Sequence, residues 1–288
     1  YKLAAASTIS LTPLTRAGRE MAKSLYTEGL AEFYVRNSLP YPPPLTFAGE
    51  ILDALPDAAT GQEGPPLVAF GGGKDSYVAR AILNSAGHQA QLASVVLGEA
   101  VENVLTATAP KTPLFIQRRL DPKLYEIAPK AFSGHVPITA INMLVLAVSA
   151  ELLGYGSVVF ANERSADEPT MKLETGEVAN HQYSKSSHFE RLINLAISDV
   201  HPRPMPIYSI LRPYSELWIG RAFASQKEAF GKFTSCNRNF RLAGDADKRW
   251  CGNCAKCAFT SLILAPFISR EDAIEIFGDV FPDRPNLL

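Results

Sequence analysis

The chain has 288 residues, 47% of them hydrophobic and 20% charged, and its net charge is −1. That is enough apolar material for one large or two modest domains, and the balanced charge argues against a nucleic-acid partner, with pairs such as Arg118-Arg119 read as surface charges. The longest apolar run, ITAINMLVLAVSAELLGYGSVVF, is broken by Asn142, Ser149, Glu151 and two glycines, so it reads as a buried helix turning into a strand and not as a membrane span.

Residues 1–60 carry one helical pattern, AGREMAKSLYTEGLAEFYVRNS, closed by the proline-rich LPYPPP. This reads as an N-terminal helical segment appended to a core, with DAATGQEGPP as the linker. From there strands are predicted at 67–70, 91–97, 112–117, 156–161 and 206–210. Helices are predicted at 76–86, 99–108, 138–153, 185–198 and 214–224. Such alternation predicts an α/β fold, a parallel sheet covered by helices over 61–235, with ligands bound beyond the carboxyl ends of the strands. A cysteine-bearing region, 236–288, follows, and there is no internal repeat.

The stretch LVAFGGGKDSYVARAIL runs from a strand pattern through three glycines into a helix pattern. A Walker A loop is excluded because Asp75 stands where that motif places its hydroxyl residue, and a dinucleotide fingerprint fails for want of a third spaced glycine. What remains is a glycine turn whose N–H groups can close on an anion at a helix N-terminus, with Asp75 suited to a magnesium ion beside a phosphate. A plain strand-turn-helix bend is the alternative, but the motif is richer than a bend requires. Gly71 to Ser76 resembles the PP-loop of ATP pyrophosphatases, with Gly71 where that family usually has serine. The resemblance implies an adenine nucleotide alpha hydrolase-like fold that binds ATP and Mg2+ through Gly71, Gly72, Gly73, Lys74, Asp75 and Ser76.

Three polar segments fall where the crevice is expected. SGHVPITAIN brings Ser133, His135 and Asn142, or serves only as a helix entry with Pro137 in the first turn. FANERSADEPT follows the fourth strand with Asn162, Glu163, Arg164 and Asp167, or forms a solvated loop. VANHQYSKSSHFE sets Asn180, His181, Gln182, Tyr183, Ser184, Lys185 and Ser186 in a row, more hydrogen-bonding side chains than a turn needs. Arg212 in LRPYSE can clamp a carboxylate or phosphate with its fork, or pin a loop.

All 4 cysteines lie in CNRNFRLAGDADKRWCGNCAKC, spaced C-x14-C-x2-C-x2-C. The x2 intervals let Cys236, Cys251, Cys254 and Cys257 converge on one tetrahedral zinc ion, which would be structural because four thiolates leave it no open position. Two disulfides or an iron–sulfur cluster are the alternatives. With no signal peptide and a nucleotide-binding loop, the chain is expected in the reducing cytoplasm, which disfavours disulfides.

Two PP-loop families place a cysteine cluster here. One is 7-cyano-7-deazaguanine synthase, whose first cysteine interval is usually shorter. The other is the ATP-dependent UDP-N-acetyl-muramoyl-L-alanyl-L-glutamate epimerase family, and GGGKDS, GHVPITAIN, FANERSA, NHQYSKS, LRPYSELWIGRAFA, SCNRNFR and RWCGNCAKCAF resemble its segments in order. That family carries a longer region before the loop than the 70 residues here, which bears on substrate range. The resemblance implies adenylation of a terminal glutamate carboxyl group, inversion at Cα, and release of AMP and pyrophosphate in peptidoglycan precursor synthesis. Masking the carboxylate makes the Cα proton acidic enough for an ordinary base, a route that needs no free thiol. By position the base is sought among Glu163, His181, Tyr183 and Lys185, with His181 and Glu163 favoured by their lower unperturbed pKa values. His135, Asn162, Asn180, Gln182, Ser184 and Arg212 are the candidates for binding a small nucleotide-linked peptide or amino acid. The alternatives are an amide or nitrile synthase of the deazaguanine type, in which ammonia captures the adenylate, and a module that binds ATP without turnover.

Overall fold

The computed structural model describes residues 6–56, 63–127, 131–132, 134–172, 176, 178–201, 203, 205–238 and 249–278. The chain begins with β1 (Thr8–Ser10), β2 (Leu14–Thr15), α1 (Arg16–Tyr26), α2 (Ala31–Arg36), β3 (Thr46–Ala48) and β4 (Ile51–Leu52). Alternation then sets in with β5 (Pro66–Ala69), α3 (Lys74–Ser85), β6 (Gln91–Val96), α4 (Glu99–Thr108) and β7 (Leu114–Gln117). Next come α5 (Lys123–Ile127), α6 (Ile138–Leu153), β8 (Ser157–Phe160), β9 (Met171–Lys172) and β10 (Val178–Ala179). The chain continues through α7 (Ser187–Ser198), β11 (Ile207–Ser209), α8 (Glu216–Ala224), α9 (Ala255–Leu264) and α10 (Arg270–Phe277).

The five-stranded sheet has the order β11-β8-β5-β6-β7. Its β5–β6 and β6–β7 pairs are parallel, in registers that set Val68 opposite Leu92 and Val95 opposite Ile116. Leu67, Val68, Leu92 and Ala93 are fully buried, the near-continuous apolar reading of strands covered on both faces. The predicted α/β class with a parallel sheet is therefore the architecture found. The ten predicted core strands and helices are all present, with ends moved by at most two residues.

The chain forms two compact units. The first comprises residues 1–64, 120–158 and 165–208. Here the single helix expected over 17–38 is two helices. Thr27 leaves the helical region with ψ −85, and both its N–H and its hydroxyl donate to the Lys23 carbonyl, at 3.0 and 2.9 Å, closing α1 at Tyr26. The chain re-enters through a 3-10 turn at Glu28–Leu30 into α2, which buries Phe33 and Tyr34 beside Leu30. Helix α1, capped by Thr15 accepting from the Gly18 N–H at 3.1 Å, packs on α7, which contributes Phe189 and Ile193 to the interior. Helix α6 buries Met143, Leu146 and Ala150 and stops at Gly154, whose φ of 75° suits a left-handed cap. The parallel pairs β1–β3 and β2–β4 and the antiparallel pair β9–β10 were not foreseen, since strands of two or three residues carry no readable periodicity. Most of the linker DAATGQEGPP, and Ser133, lie outside the described residues.

The second unit comprises residues 65–119, 159–164 and 209–288, and holds the glycine loop and the cysteines. A run of ring contacts crosses it: Phe70 to Tyr77 at 5.8 Å, Tyr77 to Phe223 at 6.0 Å, Phe223 to Phe233 at 4.4 Å, Phe233 to Trp250 at 5.2 Å and Trp250 to Phe277 at 4.9 Å. These aromatics tie the strand before the loop to the last helix. Helices α8 and α9 approach closely at Gly220, where a Cβ would come within 2.7 Å of Ile263 Cγ2.

Candidate functional site

Strand β5 delivers the chain into Gly71-Gly72-Gly73, and α3 starts at Lys74 with Gly73 as its N-cap. Gly72 has a φ of 74°, and its carbonyl accepts the Thr234 N–H at 2.9 Å. A Cβ on Gly72 would stand 2.9 Å from Thr108 Oγ1, and one on Gly73 2.8 Å from Ser235 Oγ. Gly72 thus combines a left-handed backbone with a close approach, whereas at Gly73 the near atom is a rotatable hydroxyl. Gly71 is exposed, and a Cβ there meets nothing within 4 Å, so a side chain has space at that position. Ser76 is buried and its hydroxyl donates to the Gly73 carbonyl at 2.8 Å, which closes the loop on itself.

Lys74 is 3% exposed, and its Nζ lies 2.5 Å from Asp75 Oδ1 and 2.6 Å from Glu216 Oε2 in the first turn of α8. Burial alone would lower the lysine pKa, but the two carboxylates outweigh it and hold it above its ordinary 10.5. Glu216 is pushed up from 4.5, first by burial and then by the like charge of Asp75. The sequence reading missed Glu216. It stands 142 positions from Lys74, and only the packing of α8 on α3 brings it in.

At the carboxyl ends of β8 and β11, Asn162 Nδ2 donates to Ser209 Oγ at 3.0 Å, and Arg212 Nη2 approaches the same oxygen at 3.4 Å. Arg212 Nη1 donates to the Glu163 carbonyl at 3.2 Å. Arg212 therefore pins this turn. Asn162 and Glu163 are both buried, and Glu163 adds to the negative field on Glu216.

The first unit holds the other candidates. Asn180 uses both ends of its amide internally, donating to the Ala166 carbonyl and accepting the Gln182 N–H, each at 2.7 Å. Lys185 Nζ donates to Gln182 Oε1 at 2.9 Å, and Ser184 is buried. Burial pushes the Tyr183 phenol well above its ordinary value, and Glu28 adds to the shift. His181 is exposed, with Nδ1 3.1 Å from Thr170 Oγ1, and its ring meets that of His135 edge to face at 6.2 Å. His135 Nδ1 lies 3.9 Å from Glu32 Oε2. A cavity of about 530 Å³ opens beside this segment, lined by Glu28, Asp167, Asn180, Tyr183, Ser186, Ser187 and His188.

The thiols of Cys236, Cys251, Cys254 and Cys257 all lie within 4.8 Å of one another. Sγ separations of 3.4 Å for Cys254–Cys257 and 3.9 Å for Cys251–Cys257 bracket the roughly 3.8 Å edge of a tetrahedron with 2.3 Å metal–sulfur bonds. They are far from the roughly 2.05 Å of a disulfide, and all four cysteines are free. The donor set fits one ion. Burial works against ionisation of Cys254, yet the N–H groups of Cys257 and Asn237 outweigh it and bring the thiol down to about 7. Helices α9 and α10, which follow the cluster, had no counterpart in the sequence reading.

Among the described residues no helix is long and apolar enough to cross a membrane. Fold and sites together define an α/β protein with a glycine loop at a helix N-terminus and a four-thiol cluster able to hold one metal ion. Residues 1–210 match the family model described as the MurL N-terminal domain, and residues 232–288 the MurL C-terminal domain. The chain belongs to the MurL family. It is 38% identical to a UDP-N-acetyl-alpha-D-muramoyl-L-alanyl-L-glutamate epimerase of a Micromonospora species over all of this chain and 64% of that relative. Proteins of the same name are 37% identical in Salinispora tropica, over 100% of this chain and 63% of theirs, and 39% identical in Xanthomonas oryzae pv. oryzae, over 90% and 57%. The chain thus spans less than two thirds of the length of these relatives.

Proposed function

We propose that the chain carries out the ATP-dependent epimerisation of the terminal L-glutamate of UDP-N-acetylmuramoyl-L-alanyl-L-glutamate, or of a closely related peptide. The observation that carries the reading is the glycine loop at the start of α3 with the Lys74, Asp75 and Glu216 charges beside it. A lysine between two carboxylates leaves a local net charge of −1, which repels a nucleotide triphosphate unless a divalent cation intervenes. Asp75, with Glu216 adjacent, would hold magnesium, which supplies neutralisation of the phosphate charge. The N–H groups of the loop and of the first turn of α3 would hold the phosphates.

Attack of the glutamate carboxylate on the α-phosphorus forms the acyl adenylate and expels pyrophosphate. The mixed anhydride no longer carries the carboxylate charge, so a proton leaves Cα without forming a dianion. Reprotonation on the opposite face inverts the centre, and hydrolysis returns the carboxylate and AMP. The four-thiol cluster would hold zinc as a structural ion. The names of the relatives support the substrate, and the loop supports the cofactor. The test incubates the protein with magnesium ATP and UDP-N-acetylmuramoyl-L-alanyl-L-glutamate and follows AMP, pyrophosphate and the configuration of the glutamate. Formation of ADP, or inversion without ATP, would refute it; an ammonia-dependent amide or nitrile would identify the deazaguanine-type chemistry instead.

A further inference from the structure

The glycine loop and the cysteine cluster are far apart in the chain, yet three consecutive residues join them inside the second unit. Thr234 is fully buried and donates its N–H to the Gly72 carbonyl at 2.9 Å. Ser235 follows, its hydroxyl 2.8 Å from the place that a Cβ on Gly73 would take. Cys236 comes next, fully buried, its thiol within 4.8 Å of those of Cys251, Cys254 and Cys257. The peptide between Gly72 and Gly73 is planar and trans, so a bond that holds its carbonyl on one side directs the Gly73 N–H to the other. The Thr234 N–H therefore sets the aim of one of the donors that the loop offers to an anion.

What holds Thr234 is its own hydroxyl, which donates to the Arg249 carbonyl and accepts the Cys236 N–H at 3.2 Å. One side chain thus closes on both segments that carry the thiols, the one that ends in Cys236 and the one that runs through Arg249 and Trp250 into Cys251. Arg249 is pinned in turn, Nη1 donating to the Phe230 carbonyl at 2.7 Å and Nη2 to the Glu275 carbonyl at 3.0 Å. A metal ion on the four thiols would tie Cys236 to Cys251 across these segments, and so fix the spacing between the two partners of the Thr234 hydroxyl. We infer that Thr234 is a positioning residue that couples metal occupancy of the cluster to nucleotide binding at the glycine loop. With the cluster loaded, Thr234 holds the Gly72–Gly73 peptide in the orientation described. With it empty, the two partners of the hydroxyl loosen and the Gly73 N–H loses its aim. Thr234 reaches the nucleotide only through Gly72, and the inference rests on the reading of the loop as a phosphate site given above.

The experiment measures binding of α,β-methylene-ATP, which cannot be cleaved between those phosphates, with magnesium, to wild type, Thr234→Val and Thr234→Ser. Each protein is taken with zinc loaded and again after chelation followed by dialysis into magnesium. Zinc content, a melting curve and hydrogen exchange at the amide of position 234 are followed in parallel. Thr234→Val keeps the backbone N–H and the side-chain volume but loses the hydroxyl. With its zinc in place it should bind the analogue at least about 10-fold more weakly and exchange that amide at least about 10-fold faster. Thr234→Ser should restore both. Chelated wild type should show the same two changes, and chelating Thr234→Val should weaken binding little further, because both perturbations break one link. A merely structural role for Thr234 would lower the melting temperature while leaving analogue affinity at the wild-type value with zinc in place, and that result overturns the coupling. Chelated wild type that stays folded with unchanged affinity and unchanged amide protection overturns it as well; if the chelated protein unfolds, zinc-loaded Thr234→Val decides. Wild type that binds no analogue while the amide of position 234 still responds to zinc overturns the nucleotide reading of the loop instead.

Discussion

Lys74→Met tests the charge cluster at the glycine loop. The substitution keeps most of the buried side-chain volume but leaves Asp75 and Glu216, which the ammonium holds at 2.5 and 2.6 Å, without their shared cation. Removing one partner from a buried ion pair costs about 3–5 kcal/mol. The side chains of Asp75 and Glu216 retain 34% and 21% exposure, so solvent screens part of the repulsion, and about 2–3 kcal/mol is the expected loss at neutral pH. For a chain of this size that lowers Tm by roughly 4–12 °C. The pH dependence gives the mechanism. In the wild type the raised lysine pKa means its stabilisation is complete below 10.5 and is lost only as pH rises through the higher folded value. In the variant the lowering exerted by Lys74 is lost, so burial and the like charge of Asp75 raise the folded pKa of Glu216 further above its ordinary 4.5. The folded state then binds more protons than the unfolded one, so the deficit is small near pH 4.5 and grows as pH rises through the raised value. Thermal melts of both proteins at pH 4.5 and pH 8 measure it. An equal deficit at both pH values, or none at pH 8, would refute the reasoning.

Gly72→Ala should lower stability by about 1–3 kcal/mol and abolish pyrophosphate release, because φ 74° disfavours a side chain and the added Cβ meets Thr108 Oγ1 at 2.9 Å; Gly71→Ser, with open space around it, should melt with wild type. Asp75→Asn should reduce pyrophosphate release by at least about 100-fold with a Tm change of only a few degrees, measured with excess magnesium, since it removes the carboxylate placed for the cation. Elemental analysis should find one zinc per chain, and Cys254→Ser or a strong chelator should lower Tm; an unchanged Tm with no zinc bound would refute the metal assignment.

Much of the fold was legible in the sequence because its determinants are local. Periodicity of apolar residues located the ten core elements, and the step from LVAF through three glycines into KDS located the loop, since a strand must turn there and only glycine tolerates the geometry at Gly72. The x2 spacing of Cys251, Cys254 and Cys257 anticipated a cluster that the structure brings within metal-binding distance, because three positions on a tight turn converge without help from the rest of the chain. The break at Thr27 was hidden, since the helical pattern runs across it while a side-chain hydrogen bond ends the helix. What only tertiary structure decided is which distant residues meet: Glu216 with Lys74, Ser209 with Asn162 and Arg212, Thr234 with Gly72, and His135 with His181. None of these pairs has a sequence spacing that could reveal it. Each is set by how helices and strands far apart in the chain pack, and packing is decided by the whole apolar interior at once.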